Sequence, residues 1–327
     1  MLSEIEAISG SFDGIVSKNE HVQAAKRLAQ QAALLGSHML IIGEQGTEKE
    51  RFAAAVHAAS ARAASALVEL DCFYLSGTLI EEMLFGRQVE KELQPLMRSC
   101  TAGTLFIQQV GALPLVAQSR IVHACQTGRL TLDSGDELEF RCKLIATSTE
   151  ELGPAVEDRQ FRADLHRMLE QTVIWLPPLR HRKEDVPLLV HKFINEFGAS
   201  LGKPLNSISD EAMNALVHYP WPGNVRELRT VIGRCAMLAK GEMILLDHLP
   251  KSIQRARKIK NVPVQDENAF SLAIVEKRHI QKVLDYTGWH KVRSARILGI
   301  DRSTLYDKIR RYNLVNPADR IAEPAST

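Results

Sequence analysis

Ala102-Gly103-Thr104-Leu105-Phe106-Ile107-Gln108-Gln109-Val110-Gly111 is an apolar run that stops at two amides. A short run of this kind, bounded by glycines, reads as a buried strand. Similar runs lie at residues 39–42, 66–70, 143–147 and 172–176. Amphipathic stretches separate most of them, such as residues 21–35 and 49–61. Strands alternating with helical stretches argue for a mainly parallel sheet with helices on both faces. Pro177-Pro178 ends the series.

From residue 184 to 249 the pattern turns helical, with helices expected over 186–197, 210–218 and 224–238, punctuated by Pro220, Pro222 and Gly223. Residues 250–270 are polar, with Arg255, Arg257, Lys258 and Lys260 ahead of Pro263. They are expected to form a flexible linker; the alternative is a basic arm on phosphates. Ser271 then N-caps a helix with an apolar face of Leu272, Val275, Ile280, Val283 and Leu284, closed by Gly288. A short helix over 292–298, a turn at Gly299, a cap at Asp301 and a helix over 302–312 make a helix-turn-helix. The residues after Leu314 read as a frayed tail.

The chain of 327 residues is long enough for two or more domains, and its formal net charge is only +2. The charge is uneven. Residues 271–314 carry Lys277, Arg278, Lys282, Lys291, Arg293 and Arg296, and then Arg302, Lys308, Arg310 and Arg311, against few acids. A basic end on a balanced body points to a polyanion partner. The five cysteines are scattered and lack metal-ligand spacing, which fits reduced, mostly buried thiols and a cytoplasmic protein. There is no signal pattern and no apolar run long enough to span a bilayer, so no membrane partner is expected.

Gly43-Glu44-Gln45-Gly46-Thr47-Glu48-Lys49-Glu50 follows the first strand and opens a helix. That is the place of a P-loop, whose backbone N–H groups cradle phosphates while a lysine reaches the outer ones. Lys49 is in place, but Glu48 stands where a glycine is expected. A carboxylate against a phosphate costs roughly 4 kcal/mol at an effective dielectric near 20, unless the side chain turns away. In P-loop ATPases, two acids end a later strand; one holds Mg²⁺ and the other orients the attacking water. Gln108 and Gln109 keep the size of those side chains and lose the charge. Losing positioned acid–base help alone costs roughly 10²–10⁴ in rate.

Together these runs resemble the bacterial enhancer-binding proteins, the AAA+ activators of sigma-54 RNA polymerase, over residues 14–314. Residues 43–50 match their GESGTGKE, Leu84-Phe85-Gly86 their ELFG, and Gly103-Thr104-Leu105-Phe106 their GGTLFLDE. Residues 161–165 match FREDL, and residues 176–180 match the start of LPPLRER. Residues 221–228 read WPGNVREL, the lid motif, without a change. The C-terminal unit resembles their Fis-type DNA-binding domain. The resemblance implies an AAA+ αβα sandwich over residues 1–180, a helical lid over 181–249, a linker over 250–270, the helix-turn-helix over 271–314 and a tail over 315–327. It implies a nucleotide site at Gly43, Gly46, Lys49, Gln108, Gln109, Arg162 and Arg226, with Arg162 as an arginine finger and Arg226 as the lid arginine.

Against that pattern the chain departs at every step of ATP-driven remodelling. The GAFTGA loop that touches sigma-54 is replaced by a shorter run over residues 87–94. The sensor asparagine is Thr149, and the second arginine finger falls at Met168, with Arg167 one residue early. The reading that follows is a DNA-binding transcriptional regulator with a vestigial nucleotide site, not an enzyme, acting without sigma-54. No sensory domain is expected ahead of the AAA+ unit, so a signal is expected to enter through the AAA+ body, a partner or expression level.

The expected partners are an inverted-repeat duplex, RNA polymerase and further copies of the chain. No cofactor is required, with weak ATP, ADP or cyclic-dinucleotide binding as the exception. The alternatives are a nucleotide- or cyclic-dinucleotide-responsive regulator using Arg162, Arg180 and Arg182, a conventional ATP-dependent sigma-54 activator, and a regulator that joins mixed oligomers with an active relative. In the last helix Leu305, Ile309 and Tyr312 face inward. Arg302 and Ser303 are base-contact candidates, with Thr304 and Tyr306 beside them, while Lys308, Arg310 and Arg311 are expected on phosphates.

Overall fold

The structure, a computed structural model, describes residues 12–86, 95–260, 272–312 and 314. The replacement loop at 87–94, the Ser271 cap, the outer linker and the tail lie outside them. The chain divides into two units, Met1–Arg257 and Lys258–Thr327.

In the first unit the order is α1 (Glu20–Leu35), β1 (Met39–Ile42), α2 (Lys49–Ala58), β2 (Leu67–Asp71), α3 (Gly77–Phe85), α4 (Leu96–Ser99) and β3 (Thr104–Gln108). Then come α5 (Leu115–Thr127), β4 (Arg129–Thr131), β5 (Glu137–Glu139), β6 (Lys143–Ser148), α6 (Gly153–Glu157), α7 (Ala163–Leu169) and β7 (Val173–Trp175). Five parallel strands form one sheet in the order β2-β3-β6-β1-β7. Alternation sets the two faces. Leu40, Ile42, Leu105, Ile107, Leu144 and Ala146 pack against α3, α5 and α7, whereas Met39, Ile41, Phe106 and Ile145 pack against α1 and α2. Gln108 has the parity of Phe106 and pairs in register with Asp71, so it faces the side of α2. The β4–β5 hairpin was not expected; each strand is three residues long, too short for a period-two signal.

The lid follows as α8 (Asp185–Leu201), β8 (Ser207–Ile208), α9 (Asp210–His218), α10 (Asn224–Leu238), β9 (Met243–Ile244) and α11 (Lys251–Lys260). Trp221 is its largest fully buried side chain. Its indole N–H donates to the Leu216 carbonyl at 2.8 Å, and its ring meets Tyr219 edge-on at 5.0 Å. Removing so buried a ring costs about 3–5 kcal/mol. Two expectations change here. The lid carries a short parallel β8–β9 pair, so it is not helical throughout. Residues 251–260 form a helix rather than a loose linker, because Ile253 is buried in the lid core and Gln254 bonds back to the Leu249 carbonyl at 2.7 Å.

The second unit holds α12 (Leu272–Tyr286), α13 (Lys291–Leu298) and α14 (Arg302–Arg311). Ile280, Leu284, Ala295, Leu305 and Leu314 form its core, with Ile309 and Tyr312 against them. Gly299 ends α13 at φ +66°, a left-handed turn that glycine adopts without strain. Among the described residues, no helix is long and apolar enough to cross a membrane.

Candidate functional site

The loop after β1 is held from the lid. The Gly46 carbonyl accepts the Val225 N–H at 2.9 Å and the Arg226 N–H at 3.2 Å. Gly46 has φ +80°, and a Cβ there would meet the Gly223 carbonyl at 2.3 Å, so only glycine fits. The Asn224 amide donates to the Gln45 carbonyl at 2.9 Å and to Glu44 at 3.2 Å, while its oxygen accepts the Leu179 N–H at 2.8 Å. Glu44 takes a bidentate pair from Arg180, at 2.7 and 2.5 Å, which holds its carboxyl below the usual range. The Lys49 ammonium is buried and donates to the carbonyls of Gly43 at 2.7 Å and Glu44 at 3.0 Å. Burial pushes its pKa down.

Glu48 departs from expectation. It sits before α2 in left-handed backbone, φ 73° and ψ 32°, as a glycine would. Its side chain does turn away, for its carboxylate pairs with Arg51 at 3.1 Å and also faces Arg182 and Lys192. Burial raises its pKa and those three cations oppose the rise. Arg182 is itself buried, 3.9 Å from Asp185, with its Nε lacking a partner. The Glu48 side chain is thus held by cations of the protein, which offset part of the cost of its burial.

At the end of β3 the Gln108 amide donates to the Glu69 carboxylate on β2. Gln109 adopts φ 53°, and its N–H meets the Thr147 hydroxyl at 3.3 Å. Arg162 binds Asp164 at 2.7 Å, and Arg226 binds Glu50 at 3.0 Å. Gly43, Gly46, Lys49 and Arg226 are thus gathered at one loop. The three arginines considered for a cyclic dinucleotide are each engaged elsewhere: Arg162 by Asp164, Arg180 by Glu44, and Arg182 beside Asp185. The contacts of Glu44, Glu50, Glu69 and Asn224 escaped the sequence reading. Asn224 belongs to the quoted lid motif, but nothing in the motif tells that its amide reaches back to residue 45.

The family implies a magnesium nucleotide in this cleft. For the metal the fit is poor: two amides, weak ligands for Mg²⁺, stand at the strand end where the family implies acids. For the nucleotide the fit is partial. The loop keeps its glycine geometry and its lysine, but the lysine ammonium already donates to the Gly43 and Glu44 carbonyls.

In the second unit, Arg302, Ser303, Tyr306, Arg310 and Arg311 are exposed, and Thr304 and Lys308 are partly buried. His290 N-caps α13, accepting the Arg293 N–H at 3.3 Å. Lys308 is not a free cation. Glu276 on α12 accepts its ammonium at 2.5 Å and the Tyr312 hydroxyl at 2.5 Å, and this holds Glu276 below the usual carboxylate range.

Comparison with known proteins agrees with this architecture. Residues 15–175 match the sigma-54 interaction domain, residues 180–265 the AAA+ ATPase lid domain, and residues 271–312 the bacterial regulatory protein, Fis family. The chain belongs to the bacterial enhancer-binding regulators, transcriptional regulators of the sigma-54 activator type with a DNA-binding helix-turn-helix. It is 34% identical over 305 residues to the transcriptional regulatory protein ZraR of Klebsiella oxytoca, covering 91% of this chain and 69% of that protein. It is 35% identical over 311 residues to the alginate biosynthesis transcriptional regulatory protein AlgB of Pseudomonas aeruginosa, covering 92% and 68%. The fold matches NtrX from Brucella abortus in complex with ADP, with a TM-score of 0.69, 25% identity, and coverage of 91% of this chain and 70% of that one.

Proposed function

We propose that this member of the family regulates transcription by binding DNA, without ATP hydrolysis and without sigma-54. The observation that carries the reading is the pair Gln108 and Gln109 at the end of β3. Neither residue carries a carboxylate to hold Mg²⁺ or to activate water, and the Gln108 amide is spent on Glu69. The lid contacts on Gly46, Gln45 and Glu44 join lid to loop through protein groups alone. The AAA+ body serves as a platform for self-association. The helix-turn-helix presents the first turn of α14, with Arg302 and Ser303, to an inverted-repeat duplex. Arg310 and Arg311 sit a turn or more later, toward the backbone. Contact with RNA polymerase, or occlusion of it, sets the output.

The test has two arms. Phosphate release by the purified protein should equal that of Lys49→Ala; turnover that Lys49→Ala abolishes refutes the non-hydrolysing reading. Target transcription should persist in cells without sigma-54. Its collapse while the protein is still made refutes the independence.

A further inference from the structure

Helices α13 and α14 open on Lys291 and Arg302, and both side chains converge on the Tyr306 ring. The Lys291 ammonium lies 4.9 Å from the ring centroid and the Arg302 guanidinium carbon 5.6 Å from it. Arg302 Nη2 also donates to the Tyr306 hydroxyl at 3.4 Å. Among the described residues no carboxylate comes within ion-pair distance of either cation, whereas Lys308, on the same helix as Arg302, is neutralised by Glu276. The negative face of one ring offsets only part of the repulsion between two cations. What remains is a concentrated positive site with a hydroxyl at its edge. The Tyr306 phenol registers it: its pKa is lowered by the Arg302 hydrogen bond and by the charges of Lys291 and Arg302.

We propose that Lys291, Arg302 and the Tyr306 hydroxyl form a clamp for one DNA backbone phosphate, spanning both helices of the helix-turn-helix. The proposal rests on the DNA-binding reading above and deepens it. A phosphodiester supplies the missing negative charge and accepts from the ammonium, the guanidinium and the hydroxyl at once. It moves Arg302 from a base contact to a backbone contact and adds Lys291, which the sequence pattern did not single out. It also removes Lys308 from the phosphate set. Tyr306 acts in two ways, as a donor to the phosphate and as the ring that keeps the two cations together.

The experiment is a binding titration of the full chain over a fourfold salt range. One duplex is selected from a random pool by the wild-type protein, and the other is a scrambled version. Removing one cation from a phosphate should shrink the salt-induced fall in affinity by about 3.5-fold, the value for one released counterion on B-DNA. Lys291→Gln and Arg302→Gln should each do this on both duplexes and leave the ratio between them unchanged. Tyr306→Phe should weaken both duplexes about three- to tenfold with the salt dependence intact, as for removal of one neutral donor. Lys308→Gln should leave the salt dependence as it was. Circular dichroism confirms that each variant is folded. If Arg302→Gln changes the ratio between duplexes and not the salt dependence, or if Lys308→Gln lowers the salt dependence and Lys291→Gln does not, the clamp is wrong. If the wild-type chain binds neither duplex, the DNA-binding reading itself fails and the clamp with it.

Discussion

Replacing Glu48 by glycine separates what this residue contributes from what it costs. The contribution is the ion pair with Arg51 at 3.1 Å, with the two side chains 16% and 24% exposed, and the charge facing Arg182 and Lys192. A charge-assisted hydrogen bond of that kind is worth about 1.5–3 kcal/mol. The cost is the left-handed backbone at φ 73°, roughly 1–2 kcal/mol for a residue with a Cβ. Glycine recovers that cost, less about 0.4–1 kcal/mol for the extra freedom of its unfolded chain. Glu48→Gly should therefore be less stable by about 1 kcal/mol, or about 2 °C in melting temperature for a unit of this size.

The same variant should gain a response to ADP. With Glu48 gone, Arg51, Arg182 and Lys192 face no carboxylate from the loop, and the loop regains the glycine that phosphates need. ADP at a hundred times its dissociation constant would then stabilise the folded state by about 2.7 kcal/mol. Thermal melts with and without ADP measure this directly. Wild-type protein should shift far less than Glu48→Gly, because its Glu48 carboxylate still engages Arg51 and neighbours Lys49. Equal ADP shifts in the two proteins would refute the reasoning. So would a Glu48→Gly protein more stable than wild type without ADP, since strain would then be all that Glu48 brings.

Two further outcomes concern His38 and the strand end. Burial, with Lys143 and Arg62 adding to it, lowers the His38 pKa from 6.5 to about 4, and its Nδ1 accepts the Leu144 N–H at 3.0 Å. A depressed histidine contributes stability that is present above pH 6.5 and lost as pH falls toward 4, at most about 3 kcal/mol and less for a ring that keeps some water. His38→Asn, which retains an acceptor, should flatten the fall in melting temperature over that window; identical slopes would rule out His38 as a source. Gln108→Asp should not restore phosphate release, because its carboxylate would meet Glu69, whose pKa burial already raises, at a repulsion of roughly 4 kcal/mol for an effective dielectric near 20. Robust hydrolysis by that single variant would show that Glu69 moves aside freely.

The sheet was legible because its inner strands β1, β3 and β6 are buried on both faces and so read as continuous apolar runs. Residues 39–42, 210–218 and 224–238 fold with the bounds their periodicity gives. The β4–β5 hairpin and α11 were not legible. Each hairpin strand spans three residues with one apolar side chain, and α11 is mostly basic and polar, with Ile253 meeting the lid. The candidate site was legible as a set of positions but not as a set of contacts. Sequence places Glu48 beside Lys49 and says nothing of Arg182 and Lys192, which lie far along the chain and meet it only through the fold. Lys308 shows the same limit: its spacing suggests an outward cation, and Glu276, 32 residues earlier, takes it.

These contacts bear on why single changes in the cleft hang together. An amide at residue 108 can donate to Glu69, whereas an acid there could not lie against that carboxylate without one of the two taking up a proton. A carboxylate at residue 48 is tolerable where Arg51, Arg182 and Lys192 face it, and it would be costly if it pointed at a bound phosphate. Lys49 rests on the Gly43 and Glu44 carbonyls, and the lid reaches the loop through Asn224 and the Val225 and Arg226 N–H groups. Gln108 and Glu48 thus each have a partner that suits their present chemistry. The lid holds the loop, and Gln108 ties the strand end to β2, so the two parts of the cleft rest on separate contacts. The ADP response of Glu48→Gly and the inertness of Gln108→Asp probe its two ends separately.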